Sequence, residues 1–198
     1  MQKLIIFEYL SAQIKIDNKN SNNNLSEGLD MVDNFSRKAS KTNFFKEILI
    51  LRNKNLIMNQ YNNIKYCPTS PNLTWQKILK KLNPKFFKIL LIAPETNKIF
   101  FKVSKKIFTL GFTLLNSSLE TIKIFSSKKQ TFLKLKKHNI PCVDTYSNIK
   151  QIKNKNDKIL VKPEYGAGSE KVLFFENIQN LKKNLFKSND KKIFQYLK

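Results

Sequence analysis

KILVKPEYGAGSEKVLFFE, residues 158–176, carries the densest chemical pattern in the chain. Ile159, Leu160 and Val161 form an apolar run that leads into Lys162 and Pro163. A Gly-Ala-Gly-Ser bend follows at 166–169, and Val172 to Phe175 is a second apolar run. The pattern predicts two strands flanking a short, glycine-bearing loop. Glycine lets main-chain N–H groups come close to an anion, and a lysine at the strand end supplies a point charge for the same anion. The expected ligand is a polyphosphate. An ordinary hairpin turn is the competing reading of the loop alone. Of the four glycines in the chain, Gly166 and Gly168 both fall here, which favours a dedicated use.

Two commoner phosphate loops are excluded by what surrounds this one. A Walker loop needs Gly-Lys-Ser/Thr entering a helix, and the dinucleotide fingerprint needs a third glycine opening a helix. Ser169-Glu170-Lys171 supplies neither, and the residues that follow are strand-like. A strand–loop–strand with Lys-Pro before it and Gly-x-Gly-Ser within it resembles the phosphate lid of the ATP-grasp ligases.

The 198 residues suffice for one substantial domain or two small ones, with 41% hydrophobic residues to build a core. A formal charge of +23 ordinarily suggests nucleic acid or an anionic surface. Of the 37 basic residues, however, Arg37 and Arg52 alone are arginine, whereas phosphate and groove recognition favours the arginine fork. The lysines are spread over the whole chain, and lysine, asparagine, isoleucine and phenylalanine are inflated together, as in an AT-rich genome. A solvated basic surface is the simpler account. Cys67 and Cys142, with His138 as the one histidine, indicate neither a zinc cluster nor a disulfide framework. The opening MQKLIIFEYL has too short an apolar run for a signal peptide, and no segment approaches a membrane span. A cytoplasmic protein is expected.

Leu4 to Phe7 reads as a buried strand ending at Glu8-Tyr9. A carboxylate there lies where open α/β sheets bind ligands, or else it is a solvent-facing strand end. Asp17 to Asn24 reads as a loop, and Ser26-Glu27-Gly28 opens a helix with Leu25, Leu29, Val32 and Phe35 on one face. Strands are expected at Glu47–Leu51 and Ile64–Tyr66. Thr69-Ser70-Pro71 signals a helix through Leu82, with Trp75 in the core. Phe86 to Ile92 is the most hydrophobic strand, and Ala93-Pro94-Glu95-Thr96 reads as a helix start with proline and an acid in the first turn. That helix ends at Gly111, and Phe112 to Leu115 is the next strand. Strands alternating with helices predict a parallel, helix-covered sheet. Ser117 and Glu120 form a capping box, and Ser126-Ser127 precedes a helix from Lys128 to about His138. Val143 to Tyr146 is extended, the central hairpin follows, and a helix from about Ile178 to Phe186 leads to a last strand at Lys192–Leu197.

Placed in order, these segments resemble the ATP-grasp superfamily of carboxylate–amine ligases over nearly the whole chain, in the branch that includes tyramine–glutamate ligase. The residues that carry this are Phe7-Glu8-Tyr9, Glu27-Gly28 with Met31, Ala93-Pro94-Glu95-Thr96, and Asn116-Ser117-Ser118. Ser127-Lys128, Thr131, Ile140-Pro141, and Lys162-Pro163 with Gly166 to Ser169 complete the order. The resemblance implies an α/β protein with a Rossmann-like parallel-sheet domain over 1–116. An incomplete ATP-grasp fold with a small lid subdomain follows over 117–198. It implies that Lys128 and Lys162 contact ATP phosphates from two sides. Gly166, Ala167, Gly168 and Ser169 would close over them, and Gln195, Tyr196 and Leu197 would meet adenine through main-chain groups. Glu8 or Glu95 would hold the amine substrate. The pattern departs from the family at Ser127, where aspartate is usual, and at the Gln195-Tyr196 pair, where glutamate is common. Lys129 also follows Lys128, so the match can slip by one residue, and in a lysine-rich chain either lysine can be a solvated charge.

The family's Mg2+ ligands and its acyl-phosphate-stabilising arginine lie beyond the adenine strand, past residue 198, and phosphoryl transfer needs that cation. The expectation is a non-catalytic fragment: a truncated gene, a split reading frame, or half of a protein completed by a second polypeptide. The intact enzyme would phosphorylate a glutamate-type carboxylate with ATP and let an amine attack the acyl phosphate. The alternatives are a basic module for RNA or an anionic surface, whose affinity would fall steeply with salt, and a gene remnant without function.

Overall fold

Strand β1 (Lys3–Glu8) has a parallel partner on each side. Ile5 lies opposite Leu49 of β2 (Ile48–Asn53) and Ile89 of β4 (Phe87–Ile92). Central strands covered on both faces need unbroken apolar runs, and LIIF and ILIL are such runs. The computed structural model describes residues 2–13, 22–42, 44–56, 63–154, 156–166, 171–184 and 191–197. It divides the chain into two units, Met1–Ala93 with Lys102–Ser118, and Pro94–Phe101 with Leu119–Lys198.

In the first unit the five-stranded sheet runs in the order β3-β2-β1-β4-β5, all parallel, with β3 at Ile64–Thr69 and β5 at Thr113–Leu114. Side chains alternate across the sheet. Leu4, Ile6, Ile48, Ile50 and Ile64 pack with Val32 of α1 (Asn22–Ser40) on one face. Phe7 points to the other face, where its ring lies 5.0 Å from that of Trp75 in α2 (Trp75–Lys81). Pro68 is tolerated because β3 is an edge strand and spares one N–H. The chain reverses its direction of travel between β1 and β4, so their carboxyl ends flank the topological switch point. Beyond the short β5, the Asn116 amide extends the ladder of β4: Oδ1 accepts from Leu91 N–H at 2.9 Å and Nδ2 donates to Leu91 O at 3.0 Å.

The second unit holds α4 (Leu119–Phe125), α5 (Lys128–Lys137), α6 (Ile178–Asn184) and an antiparallel sheet in the order β6-β9-β7-β8. These strands are β6 (Thr145–Tyr146), β7 (Ile159–Pro163), β8 (Leu173–Phe175) and β9 (Lys192–Tyr196). Ile152, Ile159, Val161, Ile178, Leu181 and Phe194 form its core. The opposite face is mixed: it carries Lys162 and Gln195 beside Leu160, Phe174 and the buried Ile193.

The α/β class and the parallel first sheet match the sequence expectation, and three local readings are corrected. Helix α1 begins at Asn22, inside the stretch expected to be loop, because the apolar stripe of Leu25 and Val32 recruits its polar flank. The Thr69-Ser70-Pro71 signal is not a helix start. Ser70 and Leu73 exchange two main-chain hydrogen bonds at 3.0 Å, and α2 begins only after Thr74 caps it. Pro94 and Glu95 do not form the first turn of α3, which is Ile99–Thr109. A 3₁₀ turn at Thr96–Lys98 intervenes, and its Asn97 (φ 52°) and Lys98 (φ 60°) are left-handed, a conformation that costs about 1–2 kcal/mol per non-glycine residue. Gly111, at φ +85°, ends α3 as expected.

The sheet centre sets the stability of the first unit. Ile5→Ala, at a fully buried position, should lower unfolding stability by about 2–5 kcal/mol. Phe108→Ala on the exposed side of α3 should change it by less than about 0.5 kcal/mol. Urea midpoints at unchanged slope read both; equal losses would refute the assignment of the core.

Candidate functional site

In the second unit, α5 and β7 end against each other. Ser127 sits at the N-cap of α5, where its Oγ accepts from Gln130 N–H at 3.2 Å, as a capping serine should. The same hydroxyl donates to Glu164 Oε1 at 2.6 Å, and the Lys128 N–H donates to the Glu164 carbonyl at 3.1 Å. Ser127 is 1% exposed and Glu164 8% exposed, so this is a buried, charge-assisted clamp. Glu164 is itself tied to β9's leading residue, its N–H donating to Lys191 O at 2.9 Å. Sequence reading treated Ser127 as a departure from the usual aspartate. An aspartate here would set a second carboxylate against Glu164, and the serine supplies the proton that position requires.

The clamp points Lys128 toward the glycine loop. Its Nζ donates to the Gly166 carbonyl at 2.6 Å. Burial pushes the Lys128 ammonium below its usual pKa; the Glu95 carboxylate opposes that and the positive charge of Lys162 adds to it. The charges of Lys162 on β7 and of Glu95 in the segment before α3 thus both bear on Lys128 of α5. Lys162 Nζ donates to Gln195 Oε1 at 2.8 Å, and Gln195 Nε2 donates to Thr145 Oγ1 at 2.9 Å, so β9 and β6 orient the β7 lysine. Tyr196 turns to the core face, its ring 5.6 Å from Tyr146 and its hydroxyl accepting from Lys153 and Asn154 N–H at 2.9 and 3.0 Å. The Leu197 N–H continues the ladder to Lys158 O at 2.9 Å. Ala167, Gly168 and Ser169 lie outside the described residues.

Glu8 belongs to the first unit, at the carboxyl end of β1. It is 2% exposed, and its two oxygens accept from the Leu10 N–H at 2.8 Å and the Ser11 N–H. Burial raises its pKa, against the lowering pull of those donors and of Arg52. Gly28 of α1 makes room for it: a Cβ there would lie 2.8 Å from the Glu8 carboxyl carbon. The Ser127–Glu164 clamp, Thr145 and the Glu95–Lys128 proximity were not read from the sequence. A serine–lysine helix start and an acid after Lys-Pro were the available signals, but their meeting spans 37 residues.

Two cations brought together with one opposing carboxylate form a donor set suited to a polyanion, and their mutual repulsion is relieved when one binds. The same residues do not suit a metal: among the described residues no three His, Cys, Asp or Glu side chains converge.

Residues 125–197 match the family model described as the ATP-grasp domain. The structure is similar to that of a protein from Archaeoglobus fulgidus assigned to the ATP-grasp superfamily (19% identity, 100% of this chain and 53% of that one, TM-score 0.64). It is also similar to D-alanine–D-alanine ligase from Bacillus anthracis (14%, 100% and 57%, TM-score 0.59). The same ligase complexed with ATP matches too (14%, 99% and 58%, TM-score 0.54). The chain thus spans 53–58% of the length of these proteins. No curated protein sequence matches it. Among the described residues no helix is long and apolar enough to cross a membrane.

Ser127→Ala removes a helix cap and the donor to a buried carboxylate, and should cost about 1–3 kcal/mol in urea unfolding. Ser127→Asp should cost more; an aspartate tolerated as well as serine would refute the clamp. Glu8 gives a pH test. With its folded pKa above the unfolded value, its proton-linked stability is complete below the unfolded pKa and is lost as pH rises through the folded one. The melting-temperature advantage of wild type over Glu8→Gln should therefore shrink as pH rises from about 4 toward neutrality. A widening advantage would show that the donors outweigh burial.

Proposed function

We propose that Lys128 and Lys162 bind the triphosphate of ATP, and that the chain is the ATP-binding portion of a ligase joining a carboxylate to an amine through an acyl phosphate. The observation that carries this is that Lys128 of α5 is held on the Gly166 carbonyl at 2.6 Å while Lys162 of β7 is held by Gln195 at 2.8 Å, each lysine fixed by a hydrogen bond within one unit and the charge of Lys162 bearing on Lys128. Like charges held together in a fold favour an anionic ligand between them. The match of residues 125–197 to the ATP-grasp domain supports the same assignment.

ATP, when bound, supplies a γ-phosphoryl group to a carboxylate with ADP leaving, and displacement of that phosphate by an amine gives the amide. Lys128 and Lys162 hold the phosphates from two elements, so that the triphosphate is fixed in direction as well as place. Gly166, with Ala167, Gly168 and Ser169, brings main-chain groups to the phosphates. Gln195 holds Lys162 in register, and Tyr196 and Leu197 border adenine through main-chain groups. Because the Leu197 N–H already serves Lys158 O, its carbonyl is the group assigned to adenine. Glu95, beside Lys128, attracts the amine. Glu8 keeps both oxygens on its own turn, which leaves Glu95 as the acid assigned to the amine. A glutamate-type carboxylate follows from the sequence resemblance to the tyramine–glutamate branch. The chemistry assigned to the described residues is the binding and orienting of ATP.

Competition with a fluorescent ATP analogue tests this. Lys128→Ala and Lys162→Ala should each weaken ATP about tenfold or more, about 1.4 kcal/mol, and leave adenosine binding nearly unchanged. Inorganic triphosphate competing as well as ATP, with affinity falling steeply in salt, would instead indicate a general basic surface.

A further inference from the structure

We propose that Lys98 is a positioning residue for the lysine pair, acting through Tyr165 on Gly166; its effect on ATP rests on the reading of the site given above. Asn97 and Lys98 are consecutive left-handed residues. Asparagine visits that region with some ease, but lysine does not. A strained conformation of this kind persists where the surroundings over-determine it, and here the surroundings are on the page. The Lys98 N–H donates to Glu95 O at 3.2 Å and the Phe100 N–H to Pro94 O at 3.0 Å, closing the turn. The turn sends the Lys98 ammonium over the ring of Tyr165, 4.3 Å from its centroid. It also sets the Thr96 methyl 3.5 Å from where a Cβ on Gly166 would lie.

Tyr165 and Gly166 are consecutive, and the Gly166 carbonyl is the acceptor of Lys128 Nζ. One segment therefore addresses Lys128 twice: directly through the Glu95 charge, and indirectly through Lys98, Tyr165 and Gly166. Lys128 holds the Gly166 carbonyl, and the 96–98 turn reaches Gly166 through Tyr165 and lies beside the space a side chain at 166 would fill. With φ at +123°, its backbone has no side chain to keep it there, so the hold comes from these neighbours. Lysine is abundant in the chain, but a lysine chosen for surface charge alone gains nothing from a left-handed backbone. The cation over the ring gives the strain a purpose.

The test uses the full chain, with amide hydrogen exchange at Tyr165 and Gly166 and ATP as the probe. Lys98→Met, which keeps the stem and removes the charge, and Tyr165→Leu should each speed exchange and weaken ATP about two- to five-fold, the range of a partly exposed cation–π contact. Lys98→Arg and Tyr165→Phe keep cation and ring and should behave as wild type. Lys98→Gly relieves the left-handed strain, so its melting temperature should hold or rise while exchange at Gly166 quickens. A purely structural lysine would not separate those two readouts. Exchange unchanged in Lys98→Met, or Lys98→Arg as defective as Lys98→Met, would overturn the proposal. If the exchange pattern appears but no variant and no wild type binds ATP, the positioning of Gly166 stands and the nucleotide reading falls.

Discussion

Glu164 is the residue on which the second unit turns. Its carbonyl receives the first N–H of α5, its carboxylate receives the capping hydroxyl of the same helix, and its own N–H extends the sheet to Lys191. A buried carboxylate is costly unless every demand on it is met by a donor, and a serine hydroxyl is the neutral group that meets it without adding charge. The start of α5 cannot shift along β7 without leaving a buried oxygen unpaired. Lys128, the next residue, inherits that constraint. Its ammonium reaches Gly166 because its backbone is fixed one residue earlier.

From that joint the rest of the arrangement follows as a chain of short couplings. Lys162 is set by Gln195, Gln195 by Thr145, and Thr145 by its hydroxyl, which donates to the Val143 carbonyl at 3.0 Å. The first two links each cross from one strand to the next, so the sheet order β6-β9-β7-β8 is what joins these polar side chains into a network. The opposite face is apolar and packs Ile159, Val161 and Phe194 against α6. Period-two alternation thus gives one face to the packed core and the other to the Lys162–Gln195–Thr145 hydrogen bonds.

Much of this was legible in the chain. Apolar runs such as LIIF and ILIL located the strands, Gly111 located the end of α3, and Lys-Pro with Gly166 located the loop's approach. Lys128 and Lys162 were named as a pair, and the charge of Lys162 bears on Lys128. What escaped was non-local. Thr69-Ser70-Pro71 carries a helix-start composition, yet the Ser70–Leu73 pairing closes a turn first. Pro94-Glu95 obeys capping rules, yet two left-handed residues divert the chain before the helix begins. Ser127 looked like a lost aspartate because its partner, Glu164, is distant in sequence and its burial cannot be read from spacing. Local rules describe what a residue favours in isolation; here the tertiary partner overrode that preference at each of these positions.

The first sheet ends in a turn that is its own counter-ion. The two main-chain N–H groups after β1, which in an open α/β sheet could cradle a phosphate, are occupied by the Glu8 carboxylate, and Gly28 lacks a side chain so that this carboxylate can stay. Both donors are thereby taken, and neither the Leu10 nor the Ser11 N–H is left over for an incoming oxyanion. The fit depends on a single glycine: any larger residue at 28 would place a Cβ 2.8 Å from the Glu8 carboxyl carbon, and the acid would have to shift from the donors that hold it.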